Sequence, residues 1–309
     1  MDRLKDRTGS RTGLDRLQTE ARNPNTTEMD LLAAEDLARA LHRENYAVAN
    51  AVEKELPAIG QVIELIASSI AKGGRVFYVG AGTSGRIGVL DASECPPTFG
   101  VEPGLFQGII AGGDVALRSS IEGAEDHPSA GAADLHSHGV KTGDVVVGMA
   151  ASGRTPYVIG ALDAAREAGA ATIAVVNVHP SAMERHADLT IAAVVGPEAL
   201  TGSTRLKAGT AQKMVLNLLS TGAMVRLGKT YGNLMVDVRA TNEKLRDRAI
   251  RIVCAATSAA EEEARAALER TEWNAKTAIV MIRLEVTPDE AVARLEASGG
   301  FVRRAIGEE

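Results

Sequence analysis

The chain has almost no cysteine. Cys95 and Cys254 are its only two, too few for a disulfide scaffold and without the spacing of metal ligands. Aromatic residues make up 3% of a sequence that is 45% hydrophobic, so a core must come from Ala, Val, Ile and Leu, as in layered α/β proteins. Basic residues are not in excess: 34 Lys and Arg stand against 40 Asp and Glu, a formal net charge of -6. That balance gives no general attraction to nucleic acid or to an anionic membrane, so any phosphate must be held locally. No run approaches the ~18 apolar residues of a membrane-spanning helix, and the opening residues carry charge without an apolar signal-type stretch, so a cytoplasmic protein is expected. His127, His136, His138, His179 and His186 are scattered, and no pair of them sits with a carboxylate in zinc-site spacing; no metal is expected. The 309 residues suffice for one large domain and a small one.

What is present is organised around Arg75-Val-Phe-Tyr-Val-Gly-Ala-Gly-Thr-Ser-Gly-Arg86, which reads strand, tight loop, helix. In a parallel sheet that loop lies at the carboxyl end of its strand, and the next helix points free N–H groups and its positive dipole end at an anion. Gly80, Gly82 and Gly85 have the spacing of a dinucleotide fingerprint, which calls for an acid about 20 residues on. Here Arg86 follows, and the hydroxyls of Thr83 and Ser84 favour a compact phosphate over a pyrophosphate. Pro96-Pro97 is expected to cut the helix short after Glu94 and bring a carboxylate back towards the loop. A phosphosugar site with a nearby acid or base is the expectation.

Further along, short β-branched runs (Val76–Val79, Gly108–Ile110, Val145–Gly148, Ile173–Val176, Leu189–Ala192) alternate with helical stretches, which predicts a parallel sheet with helices on both faces and ligands at the strands' carboxyl ends. A second loop of the same grammar, Ala150-Ala-Ser-Gly-Arg-Thr-Pro156, follows one of these strands. Either loop alone fits ordinary helix capping; together they can converge on one phosphate. Gly196 to Lys213 mixes acid, hydroxyls and base before a long amphipathic helix, and reads as a ligand-facing edge or a subunit interface. Residues 1–17 read as a mobile extension, Thr19 to Thr26 as a polar linker, and Glu28 to Lys72 as helices. After Arg239 the pattern is all helical with a weak internal repeat: Leu268-Glu269 before Ala278-Ile279 is echoed by Leu295-Glu296 before Ala305-Ile306, with Trp273 and Phe301 at the joints as core residues. The expected domains are an extension over 1–27, a phosphosugar-binding domain over 28–239 and a helical module over 240–309.

Several of these strings are long and specific. Thr19-Glu-Ala-Arg-Asn23, Gly80-Ala-Gly-Thr-Ser-Gly-Arg86, Asp91-Ala-Ser-Glu-Cys-Pro-Pro-Thr98, Ile121-Glu-Gly-Ala-Glu-Asp126, Ala150-Ala-Ser-Gly-Arg-Thr-Pro156 and Gly202-Ser-Thr-Arg-Leu-Lys-Ala-Gly-Thr210 make the chain resemble the N-acetylmuramic acid 6-phosphate etherases. That family is related to the glucokinase regulatory proteins and, more distantly, to sugar isomerase (SIS) domains. The resemblance covers nearly the whole chain from Thr19. It implies a homodimer with a three-layer αβα SIS fold, a five-stranded parallel sheet and a small UBA-like helical module at the C-terminus. It also implies a lyase that turns N-acetylmuramic acid 6-phosphate and water into N-acetylglucosamine 6-phosphate and D-lactate during cell-wall sugar recycling, with no cofactor.

Carried over by motif, the catalytic carboxylates fall on Glu94 and Glu125. Thr83, Ser84, Gly85, Ser152, Gly153, Thr155, Glu198, Ser203 and Lys207 are the expected substrate and phosphate contacts. Ala150 and Ala151 stand where SIS domains often have polar residues, which shifts the phosphate grip there towards backbone N–H groups.

The chemistry explains the pair. With the sugar ring open, the C1 aldehyde acidifies the C2 hydrogen and makes cleavage of the C3 ether an elimination. One carboxylate takes the C2 proton, assigned to Glu125, and one carboxyl gives a proton to the departing lactate oxygen, assigned to Glu94. The acid must be kept protonated by burial or by a neighbouring charge. Three other functions compete: a sugar-phosphate-binding regulator of the glucokinase regulatory type, usually longer with duplicated SIS domains; an aldose–ketose isomerase, which needs no acid at C3; and a DNA-binding regulator, for which a basic helix-turn-helix is missing.

Overall fold

The computed structural model describes residues 18–238, 240 and 242–308; the mobile extension expected over 1–17 lies outside the described residues. Two helices come first, α1 (Ala34–Lys54) and α2 (Leu56–Ala71). α1 buries Glu44, Val48, Ala51 and Val52, one stripe at helical spacing. Pro57 falls in the first turn of α2, where its missing N–H breaks no helical bond.

Strands and helices then alternate as β1 (Val76–Gly80), α3 (Gly82–Phe99), β2 (Phe106–Ile110), α4 (Pro128–Ser137), β3 (Val145–Ala150), α5 (Pro156–Glu167), β4 (Ala171–Val176) and β5 (Leu189–Ala192), before α6 (Lys207–Arg226). The five strands form one parallel sheet in the order β2-β1-β3-β4-β5, with Val147 opposite Ile173 and Val175 opposite Ile191. β1 and β3 are buried along their whole length, as strands covered on both faces are. The order reverses between β1 and β3, so the loops leaving those two strands are neighbours at the switch point, where a ligand is expected.

The chain divides into two compact units: residues up to Val62 with Phe77–Val89 and Gly108–Leu216, and Ile63–Val76 with Leu90–Gln107 and the chain from Asn217 on. In the first unit, Phe77, Val79, Val146, Ala150, Ala174 and Val176 alternate along their strands onto one core. They pack there with Tyr157, Ala161 and Leu162 of α5 and Leu135 of α4.

The second unit has its own core. It is built on α7 (Glu243–Thr257), α8 (Glu261–Arg270), α9 (Ala275–Leu284), α10 (Pro288–Ala297) and α11 (Val302–Ala305). That core also includes Val236 and Val238, with Tyr231 and Leu234 packed on it. The internal repeat is real in the backbone: Trp273 N–H bonds the Leu268 carbonyl at 2.7 Å, and Gly300 N–H bonds that of Leu295 at 2.7 Å. Both turns need two left-handed residues. The second uses Gly299 and Gly300, whereas the first uses Glu272 and Trp273 at φ 51 and 64. Trp273 is half-buried on the core, with the Arg246 guanidinium 4.9 Å from its ring centroid.

Two expectations fail. Pro96 and Pro97 lie inside α3, which continues to Phe99. Their fixed φ is helical, and the cost of their missing N–H groups falls on a last turn that ends at once, where Gly100 at φ 65 bonds the Pro96 carbonyl at 3.0 Å. The segment from Thr19 to Thr26 is no linker either: Thr19, Asn23 and Thr26 are buried, and short helical turns at Gln18–Glu20 and Pro24–Thr26 fold it onto the first unit.

Candidate active site

The site starts from the crossing of β1 and α3. A Cβ on Gly80 would lie 2.6 Å from the Gly85 nitrogen, and one on Gly85 would lie 2.7 Å from the Gly80 oxygen and 2.6 Å from Ile110 Cγ1. The first and third glycines of the motif therefore let the first turn of α3 rest directly on the end of its strand. The first bond of α3 runs from Gly85 N–H to the Ala81 carbonyl at 3.2 Å. The N–H groups of Gly82, Thr83 and Ser84 are those that a helix start leaves without an intrahelical acceptor, at the positive end of the helix.

The second loop is shaped by Gly153, at φ 62, where a Cβ would lie 2.4 Å from that of Ser181; its carbonyl accepts from Met183 N–H at 2.9 Å. Thr155 occupies the cap position of α5, yet its hydroxyl makes no cap hydrogen bond. Plain capping therefore does not account for it.

These two loops meet in a cavity of about 550 Å³ in the first unit. Of the residues expected at a site, Thr83, Ser84, Ser152, Thr155 and Glu125 line it. Glu125 comes from the short turn Ala124–Asp126, which follows Gly123 at φ 73. The lining also holds Glu20, Asp126, Arg154, Gly202 and Thr204, which the sequence reading did not single out. Arg154 is a single charge within a hydroxyl-rich loop, and Glu20 sits in a polar segment without periodicity. Among the described residues, three carboxylates and one guanidinium thus line the cavity.

The remaining expected residues are elsewhere. Gly85 and Gly153 serve the backbone crossings just described, and Ser203 is half-buried in a turn where its N–H bonds the Leu200 carbonyl at 2.9 Å. Glu198 is wholly buried and accepts from the N–H groups of Lys207 and Ala208, both at 2.9 Å, as the cap of α6. Lys207 is 3% exposed and pairs with Glu44, Nζ to Oε2 at 2.7 Å. The acid Glu198 and the base Lys207 are thus spent inside the fold, and the expectation that these two side chains contact the substrate is corrected.

Glu94 is exposed on α3 in the second unit and is not among the residues that line the cavity. Glu125 is exposed too, so the burial that an acid needs is not supplied at either carboxylate within the chain. Burial, with Asp91 and Glu94 nearby, pushes the Cys95 thiol up to about 12, which removes it as a nucleophile. Among the described residues, no three His, Cys, Asp or Glu side chains come together as metal ligands would.

The glucokinase regulatory protein N-terminal SIS domain family matches residues 58–166, and the SIS domain family matches residues 126–222. Over almost its whole length the chain is similar to N-acetylmuramic acid 6-phosphate etherases. It is 54% identical over 294 residues to that of Mycolicibacterium smegmatis, covering 95% of this chain and 99% of the relative. To that of Clostridium beijerinckii it is 52% identical over 295 residues, covering 96% and 97%. To N-acetylmuramic acid 6-phosphate etherase 2 of Vibrio cholerae it is 53% identical over 295 residues, covering 96% of each. Among solved structures, a phosphoheptose isomerase from Francisella tularensis aligns with a TM-score of 0.48 and 18% identity, over 63% of this chain and 100% of that one.

Proposed function

The chain belongs to the N-acetylmuramic acid 6-phosphate etherase family of lyases, and we propose that its cavity holds the phosphosugar with the phosphate at the starts of α3 and α5. It cleaves the D-lactyl ether of N-acetylmuramic acid 6-phosphate to give N-acetylglucosamine 6-phosphate and D-lactate, a step in recycling cell-wall amino sugars. One observation carries the assignment of the site: Thr83, Ser84, Ser152 and Thr155 converge in the same cavity as the Glu125 carboxylate. Hydroxyls and helix-start N–H groups suit a compact phosphate dianion. Binding the phosphate there fixes the sugar, so that energy gained at C6 orients C2 and C3.

In this reading Glu125 takes the C2 proton of the open-chain aldehyde, and Glu94, which does not line the cavity of its own chain, is supplied by a second copy and protonates the lactyl oxygen as the C3–O bond breaks. Water then adds at C3 of the unsaturated intermediate, with the proton transfers reversed.

We propose a homodimer on the surface of the second unit. Leu90 is 50% exposed and shares one face of α3 with Glu94 and the exposed Pro97. On α6, Leu218 and Val225 are 37% and 44% exposed, seven positions apart. A second copy laid over these strips removes water from the surroundings of Glu94, and a carboxyl under an apolar cover favours its neutral form. A substrate that carries a phosphate and a carboxylate does not cross a bilayer unaided, which favours a cytoplasmic location.

The test is incubation with N-acetylmuramic acid 6-phosphate in oxygen-18 water and in deuterium oxide. Elimination and hydration put oxygen-18 on C3 of N-acetylglucosamine 6-phosphate and deuterium on C2, with unlabelled D-lactate released. Oxygen-18 in the lactate hydroxyl with C2 unexchanged refutes the mechanism, and no lactate at all refutes the function.

A further inference from the structure

Residues 19–26 hold more buried polar structure than a connection requires. The Asn23 amide donates to Glu44 Oε2 at 2.6 Å and to the Pro197 carbonyl at 3.1 Å, and its Oδ1 accepts from the Asn25 N–H at 2.9 Å. The Asn25 amide donates to Glu44 Oε1 at 3.0 Å, and Thr26 Oγ1 donates to the Ala199 carbonyl at 2.7 Å. Lys207 completes the set on Glu44. The strap is therefore tied on one side to α1 and on the other to Pro197–Ala199, whose continuation reaches the cavity at Gly202 and Thr204.

Burying polar groups is unfavourable unless they are paired; the Asn23 and Thr26 side chains are, while the buried Thr19 hydroxyl has no partner among the described residues, and what the pairing fixes in place is one acid. Glu20 lines the cavity, and its Oε2 lies close enough to Gly202 that a Cβ there would be 3.2 Å away.

The charge of the cavity asks for a role. Glu20, Glu125 and Asp126 against Arg154 make it acidic, the wrong sign for attracting an anionic sugar. The phosphate is met by neutral donors, and the elimination uses one carboxylate as its base. A further carboxylate, which only accepts hydrogen bonds, suits donors on the ligand, and an amino sugar offers its hydroxyls and its acetamido N–H.

We infer that Glu20 contacts the substrate, its carboxylate accepting hydrogen bonds from sugar hydroxyls, and that the strap from Thr19 to Thr26 holds it there as a specificity element. This rests on the phosphosugar reading of the cavity, and the test separates the two.

Wild type, Glu20→Ala and Glu20→Gln are titrated by calorimetry with N-acetylglucosamine 6-phosphate and, separately, with inorganic phosphate. Loss of a hydrogen bond to a charged group weakens binding of the sugar phosphate to Glu20→Ala by roughly 10- to 100-fold, with Glu20→Gln in between. Affinity for inorganic phosphate and the thermal midpoint stay as in wild type. Equal affinity of wild type and Glu20→Ala for the sugar phosphate, binding by neither, or a parallel loss of phosphate affinity overturns the contact. Release of D-lactate from N-acetylmuramic acid 6-phosphate by wild type is scored independently. A wild type that binds the sugar phosphate through Glu20 but releases no lactate refutes the etherase reading and leaves the contact standing.

Discussion

Replacing Lys207 by Met tests whether the strap is held as described. The side chains of Lys207 and Glu44 are 4% and 9% exposed, with Nζ and Oε2 2.7 Å apart. Burial alone would raise the Glu44 pKa, but hydrogen bonds from Lys207, Asn25 and Asn23 and the charge of Lys207 outweigh it and hold the carboxyl below its ordinary range. Lys207→Met leaves a buried carboxylate with two amide donors and no counter-charge. Breaking a buried pair from one side costs about 3–5 kcal/mol, and the remaining amides place this case near the lower end. With a shift of roughly 2–4 °C per kcal/mol, the thermal midpoint should drop by about 6–12 °C.

Glu44→Leu combined with Lys207→Met should recover most of that loss. Asn23 keeps its bond to the Pro197 carbonyl, and Asn25 is exposed to water. The pH dependence has a definite sign. A carboxyl whose folded pKa is depressed contributes stability above its unfolded value of ~4.3, and that contribution disappears as pH falls through the folded value. The gap between wild type and Lys207→Met is therefore full at neutral pH and narrows on acidification below the ordinary carboxylate range. Urea unfolding followed by circular dichroism at several pH values measures it. A gap under about 1 kcal/mol at neutral pH, the size of an exposed pair, or one that widens in acid refutes the argument.

Ser84→Ala and Thr155→Val should each lower kcat/KM on N-acetylmuramic acid 6-phosphate by roughly 10- to 100-fold through loss of a hydrogen bond to a charged group. Wild type that turns over unphosphorylated N-acetylmuramic acid equally well would contradict the placement of the phosphate. Glu125→Gln should abolish solvent exchange at C2. Glu94→Gln should keep that exchange while lactate release falls by about 10²- to 10⁴-fold; proton NMR in deuterium oxide distinguishes them, and the reverse pattern swaps their roles. Glu272→Gly, which puts glycine at a left-handed position as Gly299 does in the second repeat, should stabilise the chain by about 1 kcal/mol; a loss of stability in urea would show that the Glu272 side chain matters more than its backbone strain.

The features legible in the sequence are those whose cause is local. All five strands stand where β-branched runs predicted them, because a strand covered on both faces needs little more than such a run and a turn at each end. The two hydroxyl-rich loops were legible for the same reason, and strand order then makes them neighbours. The repeat in the helical module was visible through Leu268 and Leu295, although the two joints differ in sequence. Pro96-Pro97 is a poor stop signal here because a proline near the end of a helix has little helix after it to break.

Long-range pairing was not legible, and Lys207 shows why. A lysine next to hydroxyls and an acid looks the same in sequence whether it faces a ligand or a buried carboxylate 163 positions away, since residue type reports charge and never the partner. Once Lys207 is committed to Glu44, and Glu198 to the start of α6, the charge available to a phosphate changes. Among the described residues Arg154 is the one cation in the cavity lining, so in the proposed site the grip comes chiefly from helix-start N–H groups, backbone and hydroxyls, in line with the apolar pair Ala150-Ala151. In the proposed site such donors are set by the β1–α3 crossing and by the turn at Gly153, a backbone arrangement that preorganises them for a ligand. That rigidity leaves discrimination among phosphosugars to the parts of the cavity that lie away from the phosphate, which is where a carboxylate held by the Thr19–Thr26 strap can act.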